Sequence, residues 1–238
     1  MNIIDKRITS QKIADYILDE IQCGHLRKGD HLPTEHELCE SLDVSRIPLR
    51  EALCSLRIVG LLDARQGGGT YVTSECDPSR LGHMLYDFAV LDSIEPVQVL
   101  DIRLLLEPEA AALAAEHSDQ EQKDELLKIA QRYYDIAADY HGLDSENREL
   151  TALDNAFHQA IPKACGNSFL GMIIQITEKS STELNMRYFN EKASDAGDDK
   201  KKYASEHLKM AKAISKGDAE SARRLMEKHL LAIKRAIS

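Results

Sequence analysis

Apolar residues recur at three- and four-residue intervals along nearly the whole chain, and the runs change character near residue 73. Before that point they are short and interrupted by Gly24, Gly29, Pro33, Gly60 and the run Gly67-Gly68-Gly69. The stretch SQKIADYILDEIQCG sets Ile13, Tyr16, Ile17 and Ile21 on one helical face, with Ser10 as N-cap and Gly24 as the stop. PTEHELCESL opens on Pro33 and Thr34 with Glu37 at capping-box spacing. A break at Asp43 follows, and Ser45 caps SRIPLREALCSLRIVG, which runs to Gly60. Two short helices joined by a tight turn predict a helix-turn-helix. LLDARQGGGTYVT alternates around its glycines and predicts a two-stranded wing.

Beyond TSECDPSR, residues 73–80, long helical periods take over, at roughly 79–92, 96–117, 119–141, 144–165, 167–191, 201–216 and 218–237. Ser118, Asn167 and Asp218 are the cap candidates, and NEKASDAGDDKK, 190–201, reads as a polar loop. Pro162 falls inside one of these periods and is expected to kink or shorten the helix. The expected fold is mainly α: a winged helix-turn-helix over 1–74, a linker at 75–80, and an all-α antiparallel bundle of about seven helices over 81–238.

Composition narrows the function. The 238 residues, 43% hydrophobic, suffice for one large or two modest cores, and 12 Gly, 6 Pro and no Trp suit a helical protein. No apolar run reaches membrane-spanning length and MNIIDKRITS lacks a signal-peptide core, so a cytoplasmic protein without a membrane partner is expected. Cys23, Cys39, Cys54, Cys76 and Cys165 are scattered and form no C-x-x-C pair, which argues against a disulfide frame or a thiolate zinc site. The net charge of −10 excludes a protein that coats nucleic acid through bulk electrostatics. Any such contact must come from a few placed cations.

SRIPLREALCSLR supplies them. Leu49, Ala52, Leu53 and Leu56 form its packing face, leaving Ser45, Arg46 and Arg50 outward near the N-terminus. There an arginine reaches a guanine edge in two-point fashion and its neighbours hold phosphate; the alternative is an ordinary surface helix that happens to carry arginines. The order of features shifts the balance towards the first. Gly29, Leu32-Pro33, Glu35, Glu37-Leu38, Val44-Ser45-Arg46, Arg50-Glu51-Ala52-Leu53, Leu56, Gly60-Leu61, Gly67, Gly69 and Val72 together resemble the winged helix-turn-helix of the GntR family of bacterial transcription regulators. The resemblance implies DNA contacts from Ser45, Arg46, Arg50 and the wing residues Arg65, Gln66 and Gly67. Two positions depart from it: His36 stands where the family has an arginine, and Gly68 where the wing tip has a basic residue. His36 keeps a donor for phosphate, stronger when protonated.

The second part carries an anomaly. In LDNAFHQAI, Asp154 and His158 are one turn apart on a stripe with Leu150, Phe157 and Ile161. His207 shares a stripe with Ala204, Ala211 and Ile214, and His229 with Ala222, Met226, Ile233 and Ala236. A single core histidine with a backbone partner is common. Three, with a carboxylate whose unpaired burial costs several kcal/mol, point to a shared divalent cation. Three nitrogens and one oxygen suit zinc, nickel, manganese or iron(II) better than calcium, and zinc is put first.

DIRLLLEPEAAALAA, LDNAFHQAI, SEHLKMAKAISKGDAESA and MEKHL also resemble the ligand-binding FCD bundle of the FadR subgroup of that family. Its metal-binding members imply Asp154, His158, His207 and His229 as ligands, with water or a small organic acid in the remaining positions. Arg103 lies among Val99, Leu100 and Leu106. It either pairs with Glu107 one turn on or, as the resemblance implies, clamps the carboxylate of an effector. Thr177 and Ser181, on the stripe of Leu170, Ile173, Ile174, Leu184 and Tyr188, either bind effector hydroxyls or bond back to their own helix. The expectation is a metal-containing repressor, not an enzyme. It acts as a homodimer on a pseudo-palindromic operator and is released by a hydroxy acid or sugar acid. Two alternatives stand beside it: a metal-dependent enzyme acting on a small organic acid, and a regulator whose metal is purely structural. The sequence has no H-E-x-x-H, and neither Glu206 nor Lys228, which flank ligands, falls on a stripe.

Overall fold

The computed structural model describes residues 3–65, 68–73, 78–179 and 197–237, and the side chains among them except those of 3–8, 197–199 and 236–237. Its contacts divide the chain into two units, Met1–Arg80 and Leu81–Ser238, each around its own core.

In the first unit α1 (Ile3–Gln22), α2 (Glu35–Ser41) and α3 (Arg46–Ile58) precede β1 (Leu62–Arg65) and β2 (Gly69–Val72). Ser10 does not cap α1 but lies inside it. No Gly or Pro upstream stops the helix, and an interior serine costs only a few tenths of a kcal/mol, roughly. At α2 the capping box forms as the spacing dictates. The Glu37 amide donates to Thr34 Oγ1 at 3.3 Å and the Thr34 amide to Glu37 Oε2 at 2.7 Å. The turn into α3 passes through Asp43 at φ 50°, a left-handed conformation that Asp tolerates better than most residues. Ser45 holds the N-cap position of α3 without a capping bond from its hydroxyl. Leu49, Ala52, Leu53 and Leu56 pack on Ile13, Ala14 and Ile17 of α1. The strands pair antiparallel from Leu62↔Val72 to Arg65↔Gly69, with Leu62 and Val72 buried.

Among its described residues the second unit consists of helices and the turns that join them. Its elements are α4 (Ser79–Leu91), which starts at the border, α5 (Pro96–His117), α6 (Gln120–Ala138), α7 (Asp144–Ala164), a helix over 168–179 (α8), α9 (Gly197–Ser215) and α10 (Ala219–Ile237). Two boundaries differ from expectation. The cap of α6 is Asp119, whose Oδ1 accepts from the Gln122 amide at 2.8 Å; Ser118 instead closes α5, its hydroxyl donating to Ala114 O. The start of α9 at Gly197 makes 197–201 helical rather than loop, while 190–196 lie outside the described residues. Asn167 and Asp218 do cap, accepting from the amides of Leu170 and Ser221 at 3.0 Å each.

Alanines set the spacing. Ala110, Ala111, Ala114 and Ala115 are buried on α5, and α10 packs along that helix. α6 lies against α7 and α9, and α5 against α7 and α9 as well. Pro162 sits in the last turn of α7, which ends at Ala164, and α8 returns against it so closely that a Cβ on Gly171 would stand 2.6 Å from Pro162 O. The main core gathers Leu100, Phe157, Ile161, Ile174, Met210, Ile214, Met226 and Leu230. Within the same unit lie buried groups that a core ordinarily rejects: Arg103, Glu107, His158, Glu178, Glu206, His207 and His229.

Candidate functional site

The three histidines come from α7, α9 and α10, each on the stripe its helix turns inward. Around them Leu150, Phe157, Ile161, Ala204, Ala211, Ile214, Ala222 and Met226 are all buried, as the spacing demands. One ring nitrogen from each of His158, His207 and His229 lies within 4.8 Å of the other two. His207 Nε2 stands 3.3 Å from His229 Nε2, and the His158 ring centroid is 5.1 Å from that of His207 and 5.3 Å from that of His229. His207 stacks on Phe157 at 4.6 Å between centroids.

Burial sets the protonation of two of the three. It holds His207 well below its ordinary value, with His229 and His158 adding to the effect. It also lowers His229, although contact with Glu206 opposes it. Both are therefore neutral and offer lone pairs. For His158 burial also disfavours the cation, but Glu107 and Asp154 outweigh it and raise the value.

Asp154 departs from expectation. Its carboxylate is not buried: the side chain is 40% exposed, and Oδ1 approaches His207 Nε2 to 3.7 Å from the rim. A stripe is a line of positions along one helix, and only the neighbouring helices decide which of them is covered. The charge thus avoids the desolvation cost that its stripe suggested.

The buried carboxylates are others. Glu206 is not directed away from the site; it is only 6% exposed, and His229 Nδ1 donates to its Oε2 at 3.1 Å. That bond holds Glu206 below the usual carboxylate range against the opposing effect of burial. Glu178, from α8, is buried beside the charges of His158, Arg103, Glu107 and Asp154, and burial pushes it up to about 7. Its sequence signal was its place one turn beyond Ile174, on the stripe from which Thr177 and Ser181 had been singled out. Thr177 bonds back to its own helix, donating to Ile174 O at 2.9 Å and Ile173 O at 3.1 Å, and Ser181 lies outside the described residues.

Arg103 and Glu107 form the intrahelical pair. Arg103 Nε donates to Glu107 Oε1, and Nη2 to Oε2 at 3.3 Å. Burial opposes the Glu107 anion, yet Arg103 and His158 hold it down to about 2. Glu107 Oε2 is also 3.4 Å from His158 Nδ1, an approach without hydrogen-bond alignment. The α5 pair therefore abuts the histidine cluster directly. Three inward imidazoles, two of them held neutral by burial, with a carboxylate at the rim form a donor set that fits a first-row transition ion, zinc among them.

In the first unit Ser45, Arg46 and Arg50 are all exposed. Arg50 Nε donates to Glu35 Oε2 at 2.8 Å across the helix-turn-helix, an exposed pair of small net strength. His36 Nδ1 is 3.8 Å from Glu40, with both side chains in solvent. The Arg65 guanidinium lies 4.9 Å over the Tyr71 ring, so the wing cation is held in place by stacking. Gln66 and Gly67 lie outside the described residues. Sequence reasoning passed over Ile47, a large apolar side chain 61% exposed beside Arg46.

Comparison with known proteins agrees with both halves. Residues 9–72 match the family "Bacterial regulatory proteins, gntR family", and residues 98–232 match the FCD domain. The chain is 30% identical to the Uxu operon transcriptional regulator of Escherichia coli (strain K12), over 95% of this chain and 86% of the relative. It is 27% identical to the HTH-type transcriptional regulator LutR of Bacillus subtilis (strain 168), over 92% of this chain and 96% of that one. Among solved structures, Streptococcus agalactiae GntR superposes with a TM-score of 0.67 at 27% identity, covering 95% of this chain and 99% of its own. No helix among the described residues is long and apolar enough to cross a membrane.

Proposed function

From the premise that this chain belongs to the GntR family of bacterial regulatory proteins and is a transcription regulator with an FCD domain, we propose that it is a metal-containing repressor released from its operator by a small carboxylate. Residues 1–74 read DNA, 75–80 link, and 81–238 bind the effector. The protein works in the cytoplasm as a homodimer on a pseudo-palindromic site. Ser45, Arg46, Arg50, His36 and the wing at Arg65, Gln66 and Gly67 contact the duplex.

The observation that carries the sensing half is the convergence of His158, His207 and His229 in the core, with Asp154 at its rim. Placed there, a divalent transition ion, zinc first, supplies a Lewis-acid anchor for an organic acid. The buried carboxylates Glu107 and Glu206 each lie against a cluster histidine, and Asp154 adds a third carboxylate at the rim, surroundings that favour a cation. Arg103 enters as an exchangeable partner. Glu107 already holds it and also abuts His158, so an incoming carboxylate competes with Glu107 and loosens α5 from α7. Ser181 remains a candidate for an effector hydroxyl, whereas the Thr177 hydroxyl is already bonded to its own helix. Release requires that the effector bind the two states of the dimer with different affinity.

Elemental analysis and DNA binding test this reading together. The full chain should carry one equivalent of a transition metal. It should bind a duplex recovered by selection from a random library and lose that binding when a hydroxy or sugar acid is added. His207→Ala should bind the same duplex, lack the metal and ignore the acid. An unchanged response in His207→Ala removes the sensing role. Loss of the metal with the acid response kept makes the ion structural.

A further inference from the structure

Two ring nitrogens of each histidine have different surroundings, and the difference bears on which nitrogen can hold an ion. A neutral imidazole carries one proton, so it presents a lone pair to the cluster only when the proton sits on the far nitrogen. At His207 the far nitrogen, Nδ1, is buried and has no hydrogen-bond partner among the described residues. At His158, Nδ1 faces Glu107 without hydrogen-bond alignment, and Glu107 is itself committed to Arg103. Among the described residues only His229 of the three has a well-placed acceptor. Its Nδ1 lies 3.1 Å from Glu206 Oε2, while its Nε2 is the atom 3.3 Å from His207 Nε2.

Glu206 is buried where a solvent-facing glutamate would not be. Its other oxygen is 3.9 Å from Lys228 Nζ, but that lysine is 70% exposed and too distant to justify taking a carboxylate out of water. The short contact is to the imidazole. Glu206 is also the residue before His207 on α9, so one turn of that helix supplies a cluster nitrogen and an acceptor for the histidine on α10.

Resting on the metal reading above, we propose that Glu206 is the positioning residue of the metal centre. It fixes the Nδ1-protonated tautomer of His229, turns Nε2 inward and raises its basicity as a ligand. A carboxylate behind a ligand imidazole does this more strongly than a backbone carbonyl, because the anion stabilises the positive charge that metal binding draws onto the ring. α9 and α10 are thereby coupled twice, once through the cluster and once through the Glu206–His229 bond.

Cobalt(II) titration followed by visible absorption tests the assignment, alongside nitrogen-15 imidazole spectra of the metal-free full chain. Glu206→Ala should bind cobalt some 10–100-fold more weakly than the parent. It should also shift the ligand-field bands and convert His229 from one tautomer to a mixture. Glu206→Gln keeps the shape and an acceptor oxygen, so it preserves the fold and the tautomer but not the charge, and should fall between the two. If both variants bind cobalt within about twofold of the parent, with the same bands and tautomer, Glu206 does not position the centre and the assignment is overturned. A parent that takes up no cobalt removes the metal reading and the assignment with it.

Discussion

Glu178 shows how a single side chain records its surroundings. It is 5% exposed, and burial raises it from 4.5 to about 7, against the pull of His158 and Arg103. Below pH 4.5 the folded and unfolded forms both hold the proton. Between 4.5 and 7 only the folded form keeps it, so this group's contribution to stability is lost as the pH rises through that window. In protein stripped of metal with a chelator, Glu178→Gln should therefore be nearly neutral at pH 4.5 and stabilising at pH 8, by up to about 3 kcal/mol. Urea melts of both proteins at the two pH values measure the difference, and equal differences would deny the burial effect. His207 and His229, shifted the other way, titrate alike in both proteins and cancel in the comparison. Glu178 had only its helical spacing from Ile174 to mark it as buried, and Glu206 had no mark in the residue string at all. Each stands beside a residue that was singled out, and one position along a helix is a 100° turn, so the neighbouring helices decided how wide a face was covered: both Glu206 and His207 on α9, and Glu178 more fully than Thr177 on α8.

At the scale of elements, close approach replaces chemistry as the organising effect. α8 returns against the end of α7 through Gly171, where any side chain would meet the Pro162 carbonyl at 2.6 Å. Backbone cannot give way as a flexible side chain can. Gly171→Ala should lower stability by roughly 1–3 kcal/mol, seen as a reduced melting temperature, whereas the helix propensity of alanine alone predicts an increase. The sign of that change discriminates packing from propensity. Local chemistry did fix other boundaries. Thr34 and Glu37 close a capping box three residues apart, and Asn167 and Asp218 cap from within their own turns. Ser10 and Ser118 failed as caps because a better arrangement was available nearby: an uninterrupted helix in the first case, the Asp119 carboxylate in the second.

For the whole molecule the proposed function gives the two units separable tasks, so a substitution in one should spare the other. Arg46→Ala should abolish discrimination between the selected duplex and a random one, leaving weak, salt-sensitive binding and full metal content. Competition binding and elemental analysis check the two halves, and retained discrimination would deny Arg46 its role. The fold class, the order of helices and wing, the inward placement of His158, His207 and His229, and the family itself could be read from the chain, because each follows from periodicity or from residues close in sequence. Tertiary packing alone decided the rest. It left Asp154 half-exposed at the rim, buried Glu178 and Glu206, and chose the Glu107 partner for Arg103 over an open guanidinium. Helical spacing fixes the direction in which a side chain leaves its own helix. Whether it then meets water, an apolar wall or an opposite charge depends on helices distant in sequence, whose approach no local pattern encodes.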